Sequence, residues 1–277
     1  MGTSKYTIKH FIVEIFAIIL ALVFLIPFYI VVINSFKDFS NILMNATAWP
    51  ETFLFSNYVK AWNIIDFPKA LFNSFFITIL SNVGLVVISS MAAWKIARSS
   101  GKKNNFLFLF FVAAMIIPFQ SVMIPLVMWG KELGIMNSRL GLIIMYLGFG
   151  VSLNIFLYHG FVKSIPKEIE EAAVIDGCNS FKLFWKIVFP LLKSITVTVI
   201  ILNSLWIWND FMLPLITLNS AELHTIPLAI NTLFDQFMNQ WDKALPAMVM
   251  SVGPIIFLYL FLQRHILKSV AAGAVKS

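Results

Sequence analysis

The sequence predicts an all-α integral membrane protein, and three observations carry that prediction. Of 277 residues, 60% are hydrophobic and only 12% charged. The mean hydropathy is +0.88. Long runs are free of Asp, Glu, Lys and Arg, and one aqueous core cannot bury that much apolar surface. The runs are continuous and show no period-two alternation, so they read as helices; the strands of a membrane barrel would turn polar residues to a lumen. Six spans are expected, at about Phe11 to Ile33, Phe72 to Ala93, Phe106 to Trp129, Leu140 to Tyr158, Val188 to Leu205 and Ala244 to Leu262. Each approaches the ~20 residues needed to cross ~30 Å of hydrocarbon.

The first span is too long for a signal-peptide apolar region and is followed by no small-x-small cleavage site, so it reads as a retained anchor. Glu14, about a turn inside it, lies close to Lys9 and His10. It reads as a snorkelling end residue, with a functional intramembrane carboxylate as the competing interpretation. The segment from Asn34 to Leu71, with Trp49, Pro50, Trp62 and Pro68, is the largest piece between spans on its side and too short for an independent domain. Pro27, Pro118, Pro125, Pro190, Pro214 and Pro254 fall inside or beside spans, which predicts kinked or interrupted helices. No internal repeat or low-complexity tract stands out, and residues 1–277 read as one membrane domain.

The basic residues set the orientation. Lys5, Lys9, Lys95, Arg98, Lys102, Lys103, Lys163, Lys167, Lys182, Lys186, Lys193, Arg264, Lys268 and Lys276 fall on one side; Lys37, Lys60, Lys69, Lys131, Arg139 and Lys243 fall on the other. An excess of 14 over 6 puts the first set, and both termini, in the cytoplasm. The same pattern explains the +7 net charge without nucleic acid, since the basic residues mark the ends of spans and form no stripe. A single cysteine, Cys178, excludes an internal disulfide and a CxxC pair. His10, His159, His224 and His265 show no metal spacing, and no HExxH, GxSxG or phosphate-loop motif occurs, so neither metal binding nor catalysis is expected of this chain.

Against that apolar background, IPKEIEEAAVIDGCNSFKLFWKIVFP stands out on the cytoplasmic side. Ser164, Ile165 and Pro166 are expected to open a helix, with Ser164 as cap and Pro166 in the first turn. Glu168, Glu170 and Glu171 follow where the helix dipole favours acids. Gly177 is expected to end the helix in a left-handed turn. Asn179 or Ser180 then caps a second helix, with Phe181, Phe184, Trp185 and Val188 on one face. Ala172, Ala173 and Gly177 leave little side-chain bulk, and acids beside small residues suit an Arg-lined partner cleft. The competing interpretation is an amphipathic loop on lipid headgroups, which anionic lipid would disfavour.

Glu171-Ala172-Ala173, with Gly177, Ile187 and Pro190 at fixed intervals and Asp176 before the glycine, resembles the EAA loop of permease subunits of bacterial ABC importers. Asn73-Ser74, the Ala92-Ala93-Trp94 to Ala97-Arg98 exit, MIIPFQSVMIPL, WIWNDFMLPL and AAGAVKS extend the resemblance to the carbohydrate branch. The chain is similar there to the smaller membrane subunit of maltose transporters, and to raffinose-type and multiple-sugar importers of Gram-positive bacteria.

The resemblance implies a type I ABC importer permease fold in a bacterial cytoplasmic membrane. It implies as partners a second homologous permease, two ATPase subunits, an extracytoplasmic sugar-binding protein and an oligosaccharide, with ATP and Mg held by the ATPase and no cofactor on this chain. It makes the loop at about 164–190 the ATPase-coupling element, with Glu171 as the charge contact, Ala172 and Ala173 as a close-packed surface, Gly177 as the turn, and Asp176, Ile187 and Pro190 completing the motif. Within the tail at about 263–277, Gly273, Ala274, Val275 and Lys276 match a segment that reaches between ATPase subunits; a frayed terminus competes. Trp206, Trp208, Asn209 and Asp210 stand either on a sugar path or outer gate, or as interfacial belt and helix-linking residues. The acidic loop from Asn219 to Gln240 matches by location a loop that probes the binding protein. An ion-gradient transporter would need mid-membrane charges and an inverted repeat. An intramembrane hydrolase would need a nucleophile–base pair. Neither signature is found.

Overall fold

A computed structural model describes residues 8–99, 101–234 and 240–274, with side chains described for all of these except 9, 258, 259 and 261–274. Among the described residues the regular structure is helical. Packing divides the chain into two compact units. One takes in the chain up to Phe67 together with Ile230–Val252, and the other takes in Pro68–Ala229 and the chain from Gly253.

In the first unit, α1 (Ile8–Asn34) matches the first expected span and runs through Pro27 without ending. Every described residue from Ile8 to Tyr29 is exposed. A helix apolar on all sides and uncovered by the rest of its own unit is built for an apolar environment. Two short helices follow, α2 (Phe39–Met44) and α3 (Ser56–Ile64). Asn34 Nδ2 donates to the carbonyls of Ile30 and Ala46, both at 2.7 Å, and Asn57 Nδ2 donates to that of Lys37 at 2.8 Å. Buried Lys37 donates to the Asn45 carbonyl at 2.8 Å, and burial lowers its pKa from the usual lysine value.

The second unit contains α4 (Phe67–Arg98, of which Pro68 onward belongs here), α5 (Lys102–Ala114), α6 (Phe119–Glu132) and α7 (Arg139–Lys163). It continues with α8 (Lys167–Ile175), α9 (Ser180–Lys182), a π-helical stretch Leu183–Val188, α10 (Phe189–Leu191), α11 (Lys193–Asn209) and α12 (Met212–Thr217). The chain passes between the units through α13 (Ile226–Asn231) and α14 (Trp241–Ala274).

Helices α1, α4 and α7 are each long and apolar enough to cross a membrane, as expected of the first, second and fourth spans. The third and fifth spans are not single rods. The third is broken between α5 and α6 with a bend of 100°. Helix α5 ends at Ala114, and Pro118, which disfavours helical geometry in the residue before it, takes the N-cap position of α6, while Pro125 is carried inside α6. The fifth is bent by 77° at Leu192, so α11 begins at Lys193 and the stretch from Val188 belongs to the preceding helical segment. Where the sixth span is expected, α14 runs as one 34-residue helix.

Two apolar clusters hold the second unit. One gathers Val86 and Ala93 of α4, Ile155, Tyr158 and Val162 of α7, and Phe184 and Val188 of the π-helical stretch. The other gathers Ile77 and Leu85, Leu142 and Tyr146, Ile207 and Leu213. Gly150 lets α4 and α7 approach closely, since a Cβ there would stand 2.8 Å from Leu85 Cδ1.

Candidate functional site

The loop 164–190 folds as helix, glycine turn and helix, with corrections to its ends. Ser164 caps the C-terminus of α7, its Oγ donating to the Phe161 carbonyl at 2.8 Å, and Pro166 takes the N-cap position of α8 with no side-chain bond. The proline forces the residue before it into extended backbone, which moves the helix start beyond Ser164. Gly177 has φ +82° and so turns left-handed, as expected; its N–H donates to the Val174 carbonyl, and that of Cys178 to Ala173, both at 3.0 Å. Asn179 Oδ1 accepts from the Lys182 N–H at 2.9 Å and caps the second helix.

The face of that second helix differs from the expected one. Phe184 and Val188 are buried, but Phe181 is 68% exposed and Leu183 takes the inward place. The cause is the π-helical stretch, in which the Phe189 N–H reaches back five residues to the Phe184 carbonyl and shifts the register. Ile187 is half-buried and Pro190 exposed.

The acids of α8 part company. Glu171 and Glu168 are exposed, whereas Glu170 is 8% exposed and turned to the end of α4. Its Oε1 accepts from Arg98 Nε at 2.7 Å and lies 2.7 Å from Arg98 Nη2; its Oε2 accepts from Trp94 Nε1 at 2.9 Å. Arg98 Nη2 also donates to the Ile165 carbonyl at 2.8 Å, and the Trp94 ring lies 5.4 Å from that of Phe184. Two residues of α4 therefore grip the approach to α8, α8 itself and the helical segment after it.

Ala173 is buried against this core, while Ala172, Val174, Ile175 and Asp176 face outward with Glu171, Ile175 being 86% exposed. Of the two alanines expected to form a close-packed surface, only Ala172 is exposed, while Ala173 packs inward. Glu170 could not be told from a solvated acid by sequence alone. The available signal was the pairing of Trp94 and Arg98 four residues apart on the helix exit.

The four residues of WIWNDFMLPL singled out for a sugar path do not form one cluster. Trp208 is buried, edge-on to Phe75 at 5.0 Å, and lines a cavity of about 400 Å3 with Thr78, Asn82 and Ser204, closed in part by Pro254 and Ile255. That volume lies within the roughly 300–1,000 Å3 of small-molecule pockets. Trp206 meets Tyr146 edge-on at 5.5 Å on another side of α11. Asn209 donates to the Leu205 carbonyl of its own helix at 2.7 Å. Asp210 links elements, its Oδ2 accepting from Tyr146 at 2.9 Å and its Oδ1 from the Met212 N–H at 3.0 Å.

Buried polar groups of the spans were missed by sequence reasoning, which weighed charges above hydroxyls and amides. Among the described residues, Thr78 Oγ1, Ser81 Oγ, Asn82 Oδ1, Ser89 Oγ, both side-chain atoms of Asn154 and Asn203 Nδ2 find no hydrogen-bond partner. Each such group costs about 1–3 kcal/mol.

A second polar junction joins the Asn73 end of α4 to the segment before α13. Asn73 Nδ2 donates to the carbonyls of Glu222 and His224 at 2.9 and 3.0 Å, and its Oδ1 accepts from Arg139 Nε at 2.7 Å. Ser74 Oγ accepts from the Ile226 N–H at 2.9 Å. Asn137 Oδ1 accepts from the N–H groups of Asn219 and Ser220, both at 3.0 Å. The acidic segment is therefore pinned at its base and buries Ile226 and Leu228. Burial lowers the pKa of His224.

Of the tail, Gly273 and Ala274 continue the backbone of α14; Val275 and Lys276 lie outside the described residues, as does Asp235 of the acidic loop. Among the described residues no three His, Cys, Asp or Glu side chains converge as a metal site requires.

Residues 84–272 match the model of the family described as binding-protein-dependent transport system inner membrane component. The chain is 38% identical to a Thermoanaerobacterium thermosulfurigenes protein named "Probable starch degradation products transport system permease protein", over 98% of this chain and 99% of that one. It is 35% identical to the multiple sugar-binding transport system permease protein of Streptococcus mutans, covering 91% and 92%. It is 34% identical to the melibiose/raffinose/stachyose import permease protein of Bacillus subtilis, covering 96% of each. In fold it is similar to a chain of a bacterial ABC transporter involved in the import of the acidic polysaccharide alginate, with a TM-score of 0.79, 21% identity, and 95% and 99% of the two chains covered.

Proposed function

The chain belongs to the family of binding-protein-dependent transport system inner membrane components, and from that membership we propose that it forms half of the translocation path of an ATP-driven ABC importer for oligosaccharides. The full assembly pairs it with a second, homologous permease, two ATPase subunits and an extracytoplasmic sugar-binding protein. All 277 residues act as one six-span permease domain with both termini in the cytoplasm. ATP and Mg belong to the ATPase subunits, and this chain transmits movement without catalysing hydrolysis. Oligosaccharide cargo is supported by the names of three relatives, for starch degradation products, multiple sugars, and melibiose, raffinose and stachyose.

The observation that carries the coupling role is the division of labour on α8, which is held from behind through Glu170 and turns Glu171 and Ala172 outward. In the proposed contact Glu171 meets an Arg of the ATPase cleft by a charge-assisted bond, and Ala172 admits close approach. Val174 and Ile175 supply exposed apolar surface, while Asp176, Gly177, Ile187 and Pro190 fix the turn and the return helix. Gly273 to Lys276 reach between the ATPase subunits. Trp208 with Thr78, Asn82 and Ser204 forms the wall offered to the sugar, and Trp206, Asn209 and Asp210 belong to the gate between α11 and α12. Unpaired polar groups in the spans support a path for a hydroxyl-rich cargo, since such groups are costly there and mark substrate routes. The segment from Asn219 to Gln240 faces the binding protein.

Closure of the ATPases on ATP then moves the two coupling loops together, and the permeases rotate as bodies from inward-open to outward-open. The test is Glu171→Lys: the variant inserts and pairs with its companion permease but no longer co-purifies with the ATPase. Normal co-purification would remove Glu171 from the contact.

A further inference from the structure

The two polar junctions of the second unit lie at opposite ends of one helix. From Asn73 to Arg98, α4 runs without a break, a rise of about 38 Å at ~1.5 Å per residue, more than the ~30 Å of hydrocarbon. At one end Trp94 and Arg98 hold Glu170, the Ile165 carbonyl and the Phe184 ring. At the other, Asn73 and Ser74 hold Glu222, His224 and Ile226. We propose that α4 is the strut that couples the cytoplasmic loop to the extracytoplasmic segment before α13, with Glu170, Trp94 and Arg98 as positioning residues at one end and Asn73 and Ser74 at the other. This rests on the coupling role proposed above for α8.

The chemistry of each junction suits a mechanical link better than a stabilising one. Burying an ion pair is often no better for stability than an apolar contact of the same size, but it fixes geometry, because both partners are costly to leave unpaired. Glu170 uses both oxygens and Arg98 bridges two segments, so α8 cannot shift without carrying the end of α4. Asn73 likewise spends both amide hydrogens on two carbonyls of one segment and its oxygen on Arg139. A side chain saturated in this way holds its partners in a single arrangement. Between the two junctions one face of α4, with Ile77, Leu85, Val86 and Ala93, packs in the two apolar clusters with α7, Leu85 lying against Gly150. Rigid secondary elements of this kind can carry energetic coupling between distant sites.

The experiment uses the complete reconstituted importer and measures how far sugar-loaded binding protein stimulates ATP hydrolysis. Glu170→Gln removes the charge at one end, and Asn73→Ala removes the bonds at the other. Each is expected to keep the ATPase bound and to lower the stimulation at least about fivefold, the small end of ordinary allosteric couplings. Because one rod is broken in either case, the double variant is expected to be no worse than the weaker single one. If Glu170→Gln reduces the amount of assembled complex, Trp94→Phe keeps the ring on Phe184, removes the indole donor and serves as the same arm. Unchanged stimulation in either single variant, loss of the bound ATPase from both Glu170→Gln and Trp94→Phe, or losses that multiply in the double variant would overturn the proposal. These results are separable from failure of the docking assignment, which is read from ATPase binding in Glu171→Lys.

Discussion

Two adjacent glutamates, one residue type in one helix, end in opposite environments. Glu171 is exposed and Glu170 is enclosed by Arg98 and Trp94. Spacing placed both acids in the opening turns of a helix and resemblance chose Glu171 as the outward contact, but no local pattern says which acid meets α4, because that depends on how α8 lies against a helix some seventy residues earlier. The same limit applies to Asp210, whose sequence neighbours suggested a gate or a link. In the structure Tyr146, from α7, donates to it and the Met212 N–H caps its other oxygen. Tyr146→Phe removes one bond and leaves half-buried Asp210 with a weaker partner set. A loss of about 1–3 kcal/mol is expected, seen as a lower melting temperature of the purified complex, while the ATPase stays bound because the coupling loop is untouched. An unchanged melting temperature would mean that this bond adds nothing to the junction of α11 and α12.

At the scale of elements, helices could be read from the sequence because apolar length is a local property. Spans one, two and four each correspond to a single rod. Breaks were legible as prolines but not their consequence: Pro118 opens α6, Pro125 is carried within it, and Pro27 leaves α1 intact. A proline's effect depends on what its neighbours pack against; the bend at Leu192 follows Pro190 by two residues. The π-helical stretch was invisible for a related reason, since a one-residue register shift leaves composition unchanged while exchanging Leu183 for Phe181 on the buried face. Gly177 is the reverse case, a single residue whose type alone announces a left-handed turn. Gly177→Ala has open space for its methyl group, so its effect is conformational, about 1–2 kcal/mol. Because that strain loads the turn after α8, the expected outcome is a weaker affinity for the ATPase with normal insertion; equal affinity would show that the turn tolerates a side chain.

For the whole molecule, the apolar surface of α1 is exposed, and buried polar groups in the spans are unpaired among the described residues. Membrane residence and family could be read because they rest on composition and fixed motif spacing. The wall of Thr78, Asn82, Ser204 and Trp208 could not, because it is assembled from helices more than a hundred residues apart. Uptake of a labelled oligosaccharide into proteoliposomes containing the assembled importer decides between an ATP-driven permease and a carrier run by an ion gradient. Uptake is expected to require both ATP inside the vesicles and the sugar-binding protein outside, to be insensitive to ionophores, and to vanish with Glu171→Lys. Full uptake without ATP, abolished by an ionophore, would contradict that reading of the chain.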